Sequence, residues 1–327
     1  MRRIVVAAAL VGLCAIVAVR VPQAQAPRFA DNPIRHVGVI VADVDKAARE
    51  YAELLGIPVP QTREVPDVPF PPDFVGDRIA HPKVTTIRLA NMSIELLQPM
   101  GGKSPWRDHL EQFGPGLHHI AFSVPDVQQA VAHLQKFGGV HEVGKAGYQA
   151  AYVNMKPVLG FTFELNQAPP AAAAPPAAQP PAPVPTGFGM GNVSHVGIFV
   201  PDVEKTARVF GELMGLAVPA ANEYKGMVFP AGFAGDPQAH PKIVSFKYNP
   251  IGLEFAQPIG GASPWREHLE KFGPSMHHLA IGIKGMKETV DYLSRKGGRL
   301  TVGPGPGYAF VDLKPAPLGF SFEINGQ

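Results

Sequence analysis

The strongest constraint on this chain is that its second half repeats its first. The segment HVGVIVADVDKAAREYAELLG, which begins at His36, matches HVGIFVPDVEKTARVFGELMG, which begins at His195. The segment ELLQPMGGKSPWRDHLEQFGPGLHHIAF, which begins at Glu95, matches a segment that begins at Glu254, again 159 positions later. Such a repeat predicts two bodies of the same architecture.

Each half is itself doubled. The segment that begins at His36 resembles HIAFSVPDVQQAVAHLQKFGG, which begins at His119, and Asp43 and Asp126 each follow their histidine by seven positions. The chain is therefore predicted to contain four related modules, arranged as two pairs.

Each module is predicted to contain a strand, a helix and then two or three strands. Residues 36–41 are rich in β-branched side chains, Asp43 stands where a helix N-cap belongs, and apolar residues recur at helical spacing up to Gly56. Short strands are predicted at 84–89, 93–98, 151–154 and 161–165. This order predicts the α+β class, with a mixed or antiparallel sheet and helices on one of its faces.

Two segments lack the composition of a folded body. Residues 1–26 combine an early pair of arginines, an apolar stretch at 4–19 and small residues at 24 and 26, which predicts a signal peptide or an N-terminal anchor. Residues 167–189 form a Pro/Ala-rich linker, long enough that the two bodies need not touch. The domains are therefore predicted at 32–166 and 190–327. The expected location is periplasmic or secreted, with membrane tethering through an uncleaved leader as the alternative.

Composition limits the partners and the metal chemistry. Cys14 is the only cysteine, so the chain has neither an internal disulfide nor a thiolate metal site, and any metal must use nitrogen and oxygen ligands. The net charge is +2 with 17% charged residues, so the sequence does not predict the basic surface patch that binds nucleic acid. The expected partner is a small-molecule substrate, and a homodimer is compatible with the sequence.

The repeated histidines and glutamates predict a metal site in each half. His119, rather than His118, aligns with His36, because HVGV matches HIAF. Since side chains alternate along a strand, His118 is expected on the opposite face. Glu95 and Glu164 are lone acids in the same register of apolar strands, and a buried carboxylate is costly unless paired or bound to a metal. Such donors suit Ni, Co, Fe, Mn or Zn.

At these residues the chain resembles the vicinal oxygen chelate superfamily, over roughly 32–166 and 190–327. The resemblance implies two tandem glyoxalase-like domains, each with paired βαβββ modules in a curved sheet around a divalent metal, so up to two ions per chain. One ligand comes from the first strand and one from the last strand of each module. The implied ligands are His36, Glu95, His119, Glu164, His195, Glu254, His278 and Glu323.

The resemblance also implies a reaction class. The run from SPW to LHH is similar to the methylmalonyl-CoA epimerase branch, which has Gln at the position of Glu95, whereas glyoxalase I has Glu there. Both imply proton abstraction next to a carbonyl, that is isomerisation, epimerisation or lyase chemistry, with a metal-bound glutamate as the base. The implied catalytic residues are Glu95, Glu164, Glu254 and Glu323.

Two other functions are alternatives. One is a metal-dependent ring-cleaving dioxygenase, and the other is a non-catalytic protein that sequesters a small molecule. An exported enzyme is expected to use a substrate without glutathione or coenzyme A, since neither thiol is expected outside the cytoplasm.

Overall fold

The computed structural model describes residues 29–169, 192–314 and 318–326. The predicted leader at 1–26 and most of the predicted linker at 167–189 lie outside these ranges. Within the described ranges, no helix has both the length and the apolar character needed to cross a membrane.

The two halves have the same order of elements. The first half contains β1 Ile34–Ile40, α1 Val44–Leu55, β2 Arg63–Glu64, β3 His81–Arg88, β4 Ser93–Met100, α2 Pro105–Phe113, β5 Gly116–Val124, α3 Val127–Lys136, β6 Val140–Val143, β7 Ala150–Asn154, α4 Lys156–Leu159 and β8 Thr162–Gln167. The second half contains β9 Val193–Phe199, α5 Val203–Met214, β10 Asn222–Glu223, β11 His240–Phe246, β12 Gly252–Ile259, α6 Pro264–Phe272, β13 Ser275–Ile283, α7 Met286–Arg295, β14 Arg299–Gly305, β15 Tyr308–Asp312 and β16 Ser321–Gly326. The four predicted strands of the first half correspond to β3, β4, β7 and β8.

Each half builds one curved eight-stranded mixed sheet from its own strands. The first sheet has the order β2-β3-β4-β1-β5-β8-β7-β6, and the second repeats it as β10-β11-β12-β9-β13-β16-β15-β14. The strand β1 runs parallel to β4 and antiparallel to β5, and β5 runs parallel to β8. The first and last long strands of both modules are therefore the four neighbours at the centre. This arrangement confirms the predicted α+β class.

The helix that follows the first strand begins and ends where the sequence predicts. The Asp43 carboxylate accepts a hydrogen bond from the Lys46 backbone N–H at 2.9 Å, and Gly56 ends α1 with a φ of 66°. The apolar side of α1, including Tyr51, packs into the core on the convex face of the sheet. The helices α3 and α5 also begin at a capping aspartate, Asp126 and Asp202, whereas α7 begins after Gly285, which provides no side-chain cap.

A second kind of helix lies on the opposite face. Trp106 of α2 is 1% exposed and packs with Phe70 and Tyr152 in a cluster separate from the main core. The Tyr152 ring also contacts the ring of His119, so this cluster is on the face that carries the predicted ligands. The expectation that all helices cover one face is wrong for α2 and α6. Trp106 is thus a packing residue of this smaller cluster.

The two halves share one hydrophobic core, whose buried side chains come from both. Asn91 donates to the Val193 carbonyl at 2.8 Å and accepts from the Val193 N–H at 3.0 Å, while the Tyr51 hydroxyl donates to the Leu318 carbonyl at 3.0 Å. The linker is long enough for the halves to separate, yet they pack against each other, because each leaves apolar surface that only the other covers.

Candidate metal centres

Each half brings its four predicted ligands together at the centre of its sheet. His36 lies on β1, Glu95 on β4, His119 on β5 and Glu164 on β8, and one donor atom from each lies within 4.8 Å of the others. The second half gathers the matching residues in the same way, and these are His195, Glu254, His278 and Glu323. The structure thus contains two candidate metal sites of two imidazoles and two carboxylates.

The two glutamates of a site are held differently. Glu164 Oε2 lies 3.0 Å from Nε2 of both His36 and His119, whereas Glu95 Oε2 lies 3.6 and 3.7 Å from the same atoms. The other oxygen of Glu164 accepts a hydrogen bond from the Asn166 side chain at 2.9 Å. The second site has the same asymmetry, because Glu323 is 3.1 Å from His195 Nε2 and Glu254 is 3.7 Å from it.

The same asymmetry appears in the pKa values of the carboxyl groups. Burial acts to raise the pKa of Glu164, but the neighbouring His36 and His119 outweigh it and hold that pKa well below its usual range. Burial raises the pKa of Glu95, and the more distant histidines offset this only in part. Glu164 is therefore the firmly ionised member of the pair, and Glu95 takes up a proton more readily.

A glycine makes room for the histidine on β5. Gly38 lies opposite both Glu95 and His119 in the sheet, and a Cβ at this position would stand 1.9 Å from Cε1 of His119. Gly197 has the same relation to His278. This glycine was not predicted as a site residue, although it is the third letter of both HVGV and HVGI.

The expectation that His118 points away from His119 is wrong. Val39 pairs with Leu117 and Gly38 with His119, so His118 is the extra residue of a β-bulge. The bulge turns both rings to the same face, and His118 Nδ1 lies 3.1 Å from His119 Nδ1. In the second sheet, Ile198 pairs with Met276 and Gly197 with His278, so His277 is the extra residue of an equivalent β-bulge.

The bulge histidine orients the predicted ligand. Burial holds the pKa of His118 well below its usual range, so its ring is neutral and its Nδ1 can accept the Nδ1–H of His119. In that tautomer the lone pair of His119 Nε2 faces the carboxylates, and this buried atom has no well-aligned hydrogen-bond partner among the described residues. A nitrogen lone pair facing carboxylates without a proton between them fits a bound cation.

One difference between the two sites is the ring beside the last-strand glutamate. Tyr152 and Phe310 both pair with the last-strand glutamate of their half, Glu164 and Glu323 respectively. Burial raises the pKa of Tyr152 well above its usual value, and the carboxylates of Glu164 and Glu95 raise it further. The first site therefore holds a protonated phenol beside its glutamates, where the second site has an apolar ring.

The fold and the paired sites define a class of protein. Residues 35–153 and 194–311 each match the model of the Glyoxalase/Bleomycin resistance protein/Dioxygenase superfamily. The chain belongs to this superfamily and carries two copies of its domain. Among solved structures, it superimposes on a mutant of 4-hydroxymandelate synthase from Streptomyces coelicolor with a TM-score of 0.57 and 16% identity, over 90% of this chain and 92% of that one. This likeness concerns the fold.

Several curated relatives are epimerases. The mitochondrial methylmalonyl-CoA epimerase of Mus musculus is 32% identical over 190 residues, which cover 51% of this chain and all of that protein. The ethylmalonyl-CoA/methylmalonyl-CoA epimerase of Cereibacter sphaeroides is 30% identical, over 41% of this chain and 96% of its own length. A probable lactoylglutathione lyase of Vibrio parahaemolyticus is 23% identical, over 41% of this chain and 89% of its own.

We expect metal to stabilise the protein, and more so at about pH 8 than at about pH 6. Burial lowers the pKa of His36 but Glu164 raises it more, so the net value lies above 6.5. In the metal-free protein, the raised pKa of His36 stabilises the fold. This stabilisation is fully present below the pKa of His36 in the unfolded chain and is lost as the pH rises through its pKa in the folded protein. A metal ion binds the neutral imidazole. Protons therefore compete less with the metal for the histidine as the pH rises over the same range.

The measurement is the unfolding temperature of EDTA-dialysed protein with and without added Zn²⁺ or Mn²⁺. At a free metal concentration 100 times the Kd, the gain corresponds to about 2.7 kcal/mol per site. The double variant His36→Ala/His195→Ala is the control and should show no gain. A gain of equal size at both pH values would contradict the predicted ligation by histidine.

Proposed function

We propose that this protein is a divalent-metal-dependent isomerase or lyase that removes a proton from the carbon next to a carbonyl of a small oxygenated substrate. The observation that carries this proposal is the unequal placement of the two carboxylates in each site. One glutamate, Glu164 or Glu323, lies close to both histidines, and the other, Glu95 or Glu254, stands back from them.

The residues have separate roles in this proposal. His36, His119 and Glu164 would hold the ion, as would their counterparts in the second half. The ion would polarise the substrate carbonyl and stabilise the negative charge that forms when the neighbouring proton leaves. Glu95 would take that proton, because it is the less tightly held carboxylate and its pKa is raised by burial towards the range of a useful general base.

The relatives support the reaction class more than the substrate. An epimerase of an acyl thioester and a lactoylglutathione lyase both move a proton next to a carbonyl. Export through residues 1–26 is part of the proposal, and it would favour substrates that lack coenzyme A and glutathione. The substrates to test are therefore hydroxy-ketones and keto-sugars, with methylmalonyl-CoA as the comparison.

The test is solvent exchange in deuterated water. Metal-loaded protein should catalyse incorporation of deuterium at the carbon next to the carbonyl of at least one of these compounds, and EDTA-dialysed protein should not. Failure of the metal-loaded protein to exchange any of them would reject proton abstraction as the function.

The same assay separates the alternatives. A ring-cleaving dioxygenase would consume oxygen with a catechol and would show no exchange. A sequestering protein would bind a small molecule tightly without exchange, and its binding would survive the removal of metal. The four-residue sites favour the proposed reaction over sequestration, because a protein that only binds a small molecule does not need four convergent metal-binding side chains.

A further inference from the structure

A cavity of about 520 Å³ lies between the two halves, and none of the eight predicted metal ligands lines it. It is bounded by α2 and α6, by the first residues of β5 and β13, and by Lys156 and Lys314. Its volume is within the range of small-molecule sites. The proposed reaction does not use it.

Two lysines enter this cavity without a counter-charge. Lys156 Nζ lies 3.0 Å from the centre of the Phe113 ring, and Lys314 Nζ lies 5.0 Å from that of Phe272. The two rings are 6.3 Å apart, so both ammonium groups border the same space. In the described part of the chain, neither ammonium forms an ion pair with a carboxylate, and Lys314 instead contacts His268 Nδ1 at 3.3 Å.

Asp312, whose charge acts to raise the pKa of Lys314, also has other partners. Asp312 lies 3.8 Å from Arg299, and its Oδ1 accepts hydrogen bonds from the Lys314 backbone N–H and from the Ser321 hydroxyl. Glu267 also borders the cavity, but it lies at the solvent-exposed rim. The interior of the cavity thus carries an excess of positive charge.

An unpaired histidine nitrogen provides a second, independent indication of a ligand. In the second half, His268 Nε2 is 2.8 Å from the Ser275 hydroxyl. In the first half the matching residue, Gly116, has no hydroxyl, and His109 Nε2 is buried without a hydrogen-bond partner among the described residues. His109 is 9% exposed and lines the same cavity. A buried imidazole nitrogen without a hydrogen-bond partner is costly, and a bound molecule that hydrogen-bonds to it would remove that cost.

We propose that this cavity binds a small dianion, with Lys156 and Lys314 as its counter-charges and His109 as a hydrogen-bonding partner. The two lysines stand at equivalent positions of the two halves, so a ligand with an oxyanion at each end, or a compact phosphate, would meet both. Burial lowers the pKa of each lysine to about 8.

Succinate and inorganic phosphate test the proposal, each titrated into the full-length protein by calorimetry against chloride of matched ionic strength. At least one should bind saturably with one site per chain. Lys156→Met and Lys314→Met should each raise its Kd about tenfold or more, the usual scale for a charged hydrogen bond. Lys156→Arg should largely retain binding, and Lys287→Met, on the exposed face of α7, should leave the Kd unchanged.

Two further readouts separate this site from its alternatives. Dialysis against EDTA should leave anion binding intact, whereas an anion bound to a metal would be lost. Without added anion, Lys156→Met should unfold at the wild-type temperature or above it, because it removes a half-buried charge that has no carboxylate partner among the described residues. The proposal fails if neither anion binds saturably, if the binding survives both lysine substitutions, or if it disappears with the metal.

Discussion

Gly38→Ala should abolish metal binding at the first site and leave the second intact. The new methyl carbon would stand 1.9 Å from Cε1 and 2.0 Å from Nε2 of His119, far inside van der Waals contact. The ring cannot move aside, because it is fully buried and its Nδ1 is held by His118. His119 must therefore lose its position among the other three ligands.

The measurement is the metal content of purified protein after equilibration with excess Zn²⁺ or Mn²⁺. We expect two ions per chain in the wild type, one in Gly38→Ala, one in Gly197→Ala, and none in the double variant. Gly282→Ala is the matched control, since this glycine also lies on a strand but has open space where its Cβ would be. Two ions per chain in Gly38→Ala would show that His119 is not required for the first site.

The double variant Glu95→Gln/Glu254→Gln should exchange protons about 10²- to 10⁴-fold more slowly than the wild type, because a general base usually contributes a factor of that size. Both positions must change, since either intact site would otherwise dominate the rate. Gln keeps one oxygen at the site, so the variant should still bind two ions. Deuterium exchange and metal content, measured on the same preparation, report the two effects separately.

The comparison variant is Glu164→Gln/Glu323→Gln. These glutamates lie 3.0 to 3.1 Å from the histidines, so their change should weaken metal binding, and excess metal should restore part of the exchange rate. Glu111→Gln, on the exposed side of α2, controls for the loss of a negative charge. If metal-saturated Glu95→Gln/Glu254→Gln kept the wild-type rate while the comparison variant lost it, the assigned roles of base and ligand would be reversed.

The repeat explains why the sequence could predict which histidines and glutamates the fold brings together. Histidines and glutamates that recur at equivalent module positions must occupy equivalent places on strands, and central strands place them together. The alternation of side chains could not reveal the face of His118, because a β-bulge is set by pairing between distant strands and leaves no local signal in LHH. Gly38 was visible as a repeated letter, but its reason, the ring of His119 lying over it, exists only in the folded sheet.

The contact between the halves was also beyond the sequence. The Pro/Ala-rich segment at 167–189 indicates only how far apart the bodies could be. What brings them together is the fit of apolar surfaces contributed by both halves, and side chains such as Tyr51 complete their hydrogen bonds across that boundary. The cavity and its two lysines without carboxylate partners arise from the same packing of the two halves, so no sequence motif within either half predicts them.

The difference between Tyr152 of the first half and its counterpart Phe310 of the second has a consequence for how this protein can change. If two identical chains formed such an assembly, one mutation would alter both centres at once. In this chain the two centres are encoded separately, so a mutation at one leaves the other unaltered, while the shared core keeps both in one folded unit. Duplication within a single chain thus allows the two centres to acquire different properties. They already differ, because the phenol of Tyr152 lies beside only the first centre.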